Sequence, residues 1–371
     1  MKMKFYTKIA AISFIIALFV SCGNADDDVE FGVNPGGSTD ISGDLGLGKP
    51  VDKCLNLEGG DLVLSIQNQF TTLPGKVSVF FRVSDKEGKP VSGLEANQFT
   101  IYEQGRNDAC FNKISPSESS ARISPNAQIF NSNTVLVLDL SNSVLDSSLE
   151  ELKSASISFV NNVMPATDSE VFKMAIYWFN GEDKLHSLTP LTHVKQNLIN
   201  SINGINKNIS KDPSTDLYGA VIKSTDTAEK LLKESTTNDR IGAASVVIFT
   251  DGTDQASRYT ESAAVQKVDR ANNNISYFSI GLGNEIDPSI LKKIGKTHSV
   301  FATDKAQLET TFNEISKRVS ERANSFYLFE YCSPKRDGSG ENNLAIQVKY
   351  GNREGAVQTK FNAKGFTGGC E

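Results

Sequence analysis

Residues 134–143 read Thr-Val-Leu-Val-Leu-Asp-Leu-Ser-Asn-Ser. Residues 134–140 read as a strand, apolar through Leu138 and bearing one acid, Asp139, at its end, which is the pattern of a strand covered on both faces of a parallel sheet. Two hydroxyls follow at alternate positions, Ser141 and Ser143. Working outward, residues 147–164 carry Leu149, Leu152, Ile157, Phe159, Val160 and Val163 at helical spacing. FKMAIYWF (172–179) reads as a second strand, 215–234 as a helix through Leu217, Val221, Leu231 and Leu232, and ASVVIFT (244–250) as a third buried strand. A helix over 260–272, strands at 275–281 and 298–302, and a helix over 304–323 complete the run. Strands alternating with helices predict a doubly wound α/β fold with a mostly parallel sheet over 134–323.

Such sheets bind ligands at the carboxyl ends of their strands, near the point where strand order reverses. Asp139 ends one buried strand, and Asp251, followed by Gly252, ends another. Thr215, in Pro-Ser-Thr-Asp-Leu, is expected to start the helix between them. Two carboxylates and three hydroxyls are all hard oxygen donors. They suit Mg²⁺ first, with Mn²⁺ or Ca²⁺ as alternatives.

Asp139-x-Ser141-x-Ser143, Thr215 and Asp251-Gly252 resemble the metal-ion-dependent adhesion site of von Willebrand factor type A domains. The resemblance implies that Ser141 and Ser143 bind the metal directly, Thr215 does so in one conformational state, and Asp139 and Asp251 act largely through water. It also implies an open coordination position that accepts an Asp or Glu carboxylate of a partner protein. The loops bearing Asn142, Val144, Thr253 and Asp254 are expected to form the rim. VSVFFRVSDKEGKPVSGLEANQFTIYEQG (77–105) is similar to the strand module that precedes type A domains in many secreted bacterial proteins.

Outside the α/β run the composition changes. Residues 54–125 and 325–371 are strand-like, with turn-rich breaks at 86–90 and 337–340. Neither half has enough strands to stand comfortably alone. They are expected to join into one β-sandwich-like module with 134–323 inserted between them, two separate small β units being the alternative.

The amino terminus accounts for the odd cysteine. Lys2, Lys4 and Lys8 precede a 12-residue apolar run at 9–20. That is too short for a membrane span but fits a secretory signal. Phe19-Val20-Ser21-Cys22 resembles the lipobox of bacterial lipoproteins, with Phe19 where Leu is usual. Cys22 is therefore the expected lipidation site after removal of 1–21, and an ordinary cleaved signal is the plainer alternative. Residues 22–53 read as a flexible, acidic, Gly-rich tether. Four cysteines remain, Cys54, Cys110, Cys332 and Cys370, all in the β flanks. In an exported protein an even number suggests two disulfides, with three possible connectivities. One of these includes Cys110–Cys332, which would close a loop around the whole inserted domain.

The net charge of the 371-residue chain is −6, which argues against nucleic acid as a partner. The three histidines, His186, His193 and His298, show no metal spacing. A phosphotransferase of the haloacid dehalogenase type would need an acid where Ser141 stands. No Gly-x-Ser-x-Gly elbow is present. The sequence thus leads to a lipid-anchored protein of the bacterial envelope, periplasmic or on the cell surface. It is expected to bind a protein carboxylate through a divalent cation, without being an enzyme. The rivals are an envelope scaffold with a structural metal and, more remotely, a metal-assisted hydrolase.

Overall fold

The computed structural model describes residues 51–57, 60–124, 130–237, 241–283, 286–336 and 340–370. The signal segment, Cys22 and the tether up to residue 50 lie outside the described residues. Among the described residues, no helix is long and apolar enough to cross a membrane.

The N-terminal flank supplies β1 (Leu62–Thr72), β2 (Lys76–Asp85), β3 (Phe99–Gln104), β4 (Asn112–Lys113) and β5 (Arg122–Ser124). The central segment follows as β6 (Phe130–Asp139), α1 (Asn142–Ser147), α2 (Leu149–Val163), β7 (Phe172–Phe179), β8 (His186–Thr192), α3 (Lys195–Asn203), α4 (Leu217–Thr237), β9 (Ile241–Thr250), α5 (Glu261–Arg270), β10 (Ile275–Leu282), α6 (Pro288–Ile294), β11 (His298–Ala302) and α7 (Leu308–Ala323). The C-terminal flank adds β12 (Phe326–Cys332), β13 (Glu341–Tyr350) and β14 (Arg353–Asn362).

The central sheet has six strands in the order β11-β10-β9-β6-β7-β8. All pair in parallel except β8, which runs antiparallel on β7 at the edge. The unbroken apolar strands make sense because both faces are covered. Leu136, Leu138, Val247 and Phe249 point to a core closed by α2, α3 and α7, where Phe159 meets Phe312 edge-on at 6.2 Å. Their alternates Val135, Val137, Val246 and Ile248 point to a second core closed by α4, α5 and α6. Trp178 lies in the first of these cores. The sequence reading missed β8 and α3. The edge strand His-Ser-Leu-Thr-Pro-Leu-Thr carries Pro190, is only partly buried and has register shifts, so it has no clean period. The helix expected over 147–164 forms as α2, and the short α1 before it, ending at Ser147, was not read from the sequence.

The flanks build two four-stranded antiparallel sheets, β1-β2-β12-β5 and β14-β13-β3-β4. Each sheet draws strands from both ends of the chain. β12 lies between β2 and β5, and β3 lies between β13 and β4. The sheets face each other across a shared core that includes Val79, Phe81, Tyr327 and Phe329 from one and Ile101, Leu344, Ile346 and Val357 from the other. Where β1 starts against β14 the backbones nearly touch. A Cβ on Gly60 would lie 1.6 Å from the Glu354 carbonyl oxygen, so only glycine fits there. Two disulfides form, Cys54–Cys110 and Cys332–Cys370. The Cys110–Cys332 alternative is not made. Each bridge stays within its own flank, and β-pairing joins the halves.

β12 explains how the inserted domain is carried. All seven of its residues, Phe-Tyr-Leu-Phe-Glu-Tyr-Cys, are buried. Tyr327, Phe329 and Tyr331 face the sandwich core. Phe326 and Leu328 face the other way, with Phe80, onto Ala243 at the foot of β9, and Phe70 and Val171 close the contact. Phe80 and Phe326 stack at 5.5 Å. Ser325, between α7 and β12, accepts a hydrogen bond from the Val83 amide at 3.1 Å. The α/β domain therefore stands with the amino ends of its strands on the sandwich. Ala243 and Asp251 are separated by a run of strand, roughly 26 Å at the usual rise per residue.

Candidate metal centre

In the strand order, β7 and β8 lie on one side of β6 and β9, β10 and β11 lie on the other. The order therefore reverses between β6 and β9, opening a crevice at their carboxyl ends. Asp139 is the last residue of β6, and Asp251 follows the last residue of β9.

The loop after β6 turns directly into α1. Leu140 keeps its amide bonded to the Phe179 carbonyl at 2.9 Å, and Ser141 then sits at the N-cap of α1. Its side chain makes no capping bond. The hydroxyl is instead 3.1 Å from the Ser143 hydroxyl, which donates to Asp251 Oδ1 at 3.0 Å. The Ser141 amide donates to Asp139 Oδ1 at 3.0 Å. Asp139, Ser141, Ser143 and Asp251 are thus one connected group, buried at Asp139 and Ser141 and open to solvent at Ser143.

Thr215 is buried in the loop ahead of α4, which begins two residues later at Leu217, so Thr215 does not start the helix as its sequence suggests. Its hydroxyl faces Gly252, 3.8 Å from where a Cβ would stand. Val144 was expected on the rim. It is fully buried in the core beneath α1, because its side chain points inward from the first turn of that helix. Thr253 is exposed and Asn142 half-buried, while Asp254 ties its loop to α4, accepting from the Tyr218 amide in the first turn of that helix and from the Ser257 amide.

Thr250 is a contributor that the sequence reading missed. Its hydroxyl donates to Asp139 Oδ2 at 2.6 Å and accepts from the Gly252 amide at 3.2 Å. Its position directly before Asp251, at the end of the strand beside β6, was the available signal.

Asp139 is 0% exposed. Burial, reinforced by the charge of Asp251, pushes its carboxyl up to about 7. Hydrogen bonds from Thr250 and Ser141 draw it back, and no cationic side chain is among the groups acting on it. Two carboxylates and three hydroxyls on neighbouring strand-end loops are hard oxygen donors of the kind a divalent cation takes, so the residues fit one.

Residues 133–316 match the von Willebrand factor type A domain profile. Residues 133–316 thus form a von Willebrand factor type A domain, set on an additional pair of antiparallel sheets. Among solved structures, it is similar to a von Willebrand factor type A protein from Catenulispora acidiphila, at 11% identity over 82% of this chain and 75% of that one, with a TM-score of 0.44. A conserved hypothetical protein, BatB from Bacteroides thetaiotaomicron, is similar at 16% identity over 53% of this chain and 100% of that one, with a TM-score of 0.41. The manganese-loaded TRAP protein of Plasmodium vivax is similar at 13% identity over 66% of this chain and 98% of that one, with a TM-score of 0.42. No curated protein matches the chain in sequence.

Proposed function

We propose that this protein is an extracytoplasmic binding protein that engages a carboxylate of a partner protein through a divalent cation, Mg²⁺ in the first instance. The observation that carries the reading is the connected group Asp139–Ser141–Ser143–Asp251. It holds a buried acid without a cationic neighbour and reaches solvent at Ser143. When bound, the cation supplies an open coordination position with net attraction for a carboxylate. The protein's own work is to present Ser141, Ser143 and Thr215 as hydroxyl donors and to hold Asp139 and Asp251 behind them. Thr250 fixes the far oxygen of Asp139, so its carboxylate cannot rotate out of place. The group contains no general base beyond the acids committed to the cation, which favours binding over catalysis.

The architecture suits display. The sandwich touches the foot of the α/β domain, and the metal face lies at the other ends of the strands. The Asp52 amide donates to Gln358 of β14 at 2.9 Å, so the segment that follows the tether is fastened to the sandwich. With Cys22 lipidated, the chain would be anchored to a bacterial membrane and hold its metal face clear of the base.

The reading is tested on the mature chain by calorimetric titration with Mn²⁺ and Mg²⁺, then by binding to arrays of peptides carrying Asp or Glu against matched Asn or Gln. Metal binding lost in Asp139→Ala, together with chelator-sensitive preference for acidic peptides, is the expected result. Metal binding that raises the melting temperature but brings no carboxylate preference would move the protein to the scaffold reading. Mass spectrometry of the mature amino terminus tests the anchor, and an unmodified Cys22 would remove it.

A further inference from the structure

Thr215 sits in a loop, yet its hydroxyl must be held in place to serve a metal. Its carbonyl accepts from the Gln255 and Ala256 amides at 2.9 and 3.1 Å, which ties it to the loop after β9. The next residue, Asp216, donates its amide to the Asn180 carbonyl at 2.9 Å, tying it to the end of β7. The Asp216 carboxylate is 1% exposed and accepts from the Gly219 amide at 3.1 Å. Lys223 faces it as well, with Nζ 3.4 Å from Asp216 Oδ2.

Lys223 lies on α4, seven residues after Asp216, and the helix repeat brings it back to the same face. It also bonds Asp183 in the loop between β7 and β8, and it lies over the Tyr259 ring at 4.6 Å. The Tyr259 hydroxyl donates to the same Asp183 oxygen at 3.1 Å. One ammonium therefore joins three loops around Thr215: 180–183, 215–216 and 251–259.

We propose that Lys223 is a positioning residue of the metal centre, holding Thr215 and the loop of Asp251 in place through Asp216, Asp183 and Tyr259. The proposal rests on the metal-binding reading above. It makes a prediction opposite in sign to simple electrostatics. If Lys223 acted only as a nearby charge, removing it would leave more negative potential at the site and tighten cation binding. If it positions, removing it loosens a ligand loop and weakens binding. Loss of such outer partners typically costs about 10- to 100-fold in metal affinity.

The experiment measures Mn²⁺ affinity of the mature chain by electron paramagnetic resonance, with circular dichroism on the metal-free protein to confirm folding. Lys223→Met is expected to bind about 10- to 100-fold more weakly. Lys223→Arg, which keeps a cation between the two carboxylates, is expected to recover most of the loss. Lys267→Met, which removes a lysine paired to Asp226 and Glu229 on the side of α4 and α5, is expected to leave affinity unchanged. Should Lys223→Met fail to fold, Asp183→Asn and Tyr259→Phe, which loosen the more exposed end of the same network, must still weaken Mn²⁺ binding. A folded Lys223→Met that binds Mn²⁺ as tightly as wild type, or more tightly, overturns the proposal. Wild type that binds no more Mn²⁺ than Asp139→Ala would instead overturn the metal reading beneath it.

Discussion

Asp139 at the tip of the α/β domain and Glu103 inside the sandwich are both buried carboxyls, 0% and 1% exposed. Burial pushes both upward from the ordinary carboxylate range. Their surroundings differ. Glu103, on β3, accepts from the Tyr331 hydroxyl of β12 at 2.8 Å, with Ser333 and Lys335 also acting to lower it. That bond crosses from one sheet of the sandwich to the other, so this acid helps to join the halves. Asp139 also has donors, Thr250 and Ser141, but its nearest charge is a second acid, Asp251. A buried acid placed beside another acid destabilises the protein by itself and is offset when a cation arrives. Within the sandwich the acid is tied to a hydroxyl of the facing sheet, whereas at the tip the acid has a second acid beside it, the arrangement on which the proposed cation reading rests.

The largest expected contrast concerns covalent staples. Cys54–Cys110 closes 56 residues and Cys332–Cys370 closes 38. The chain-entropy model assigns each bridge about 4 kcal/mol. Replacing either pair by alanine should lower the stability of the sandwich by that order in urea unfolding. The α/β domain has no cysteine between 111 and 331, so its Mn²⁺ affinity should stay unchanged while the sandwich remains folded. Loss of metal affinity in a still-folded double variant would show that the two regions are not independent in this respect.

Next comes pH. In the unfolded chain Asp139 titrates near 3.8, and in the folded metal-free protein near 7. Between those values the folded state holds a proton that the unfolded state has released. Raising pH through this window therefore removes stability, by about 3 kcal/mol between pH 5 and 8. The melting temperature of metal-free protein should fall over that range from this group, and Asp139→Asn should flatten the fall. Mg²⁺ should stabilise strongly at pH 8 and weakly at pH 5, because it competes with the proton. Equal stabilisation at both values would break the contrast with Glu103.

The smallest effect is expected at Glu103. Glu103→Gln keeps an acceptor for Tyr331 and should cost less than about 1 kcal/mol in unfolding free energy, with metal affinity unaltered. A loss of several kcal/mol would mean that Glu103 needs its charge, and the distinction between the two acids would narrow.

The buried strands were legible because continuous apolar runs mark strands covered on both sides. Asp139, Ser141, Ser143 and Asp251 were legible because they stand within a few residues of strand ends. Val144 was misplaced because the first turn of α1 rotates it inward, which spacing in a loop does not reveal. Thr250 offered only its place before Asp251 as a signal, and the Lys223 network offered none. Their roles depend on side chains from separate loops meeting, and each residue alone is an ordinary threonine, lysine or aspartate.

The local sequence determined the alternation of strands and helices, the oxygen-rich loops and the segregation of cysteines to the flanks, because each depends on neighbours a few residues apart. The tertiary structure decided which strands are neighbours, how the flanks interleave through β12 and β3, and which cysteines pair. It also decided that the loops bearing Asp139 and Asp251 lie at the strand ends away from the sandwich. These depend on contacts between residues as far apart as Phe80 and Phe326, and only packing selects among the arrangements that local pattern allows.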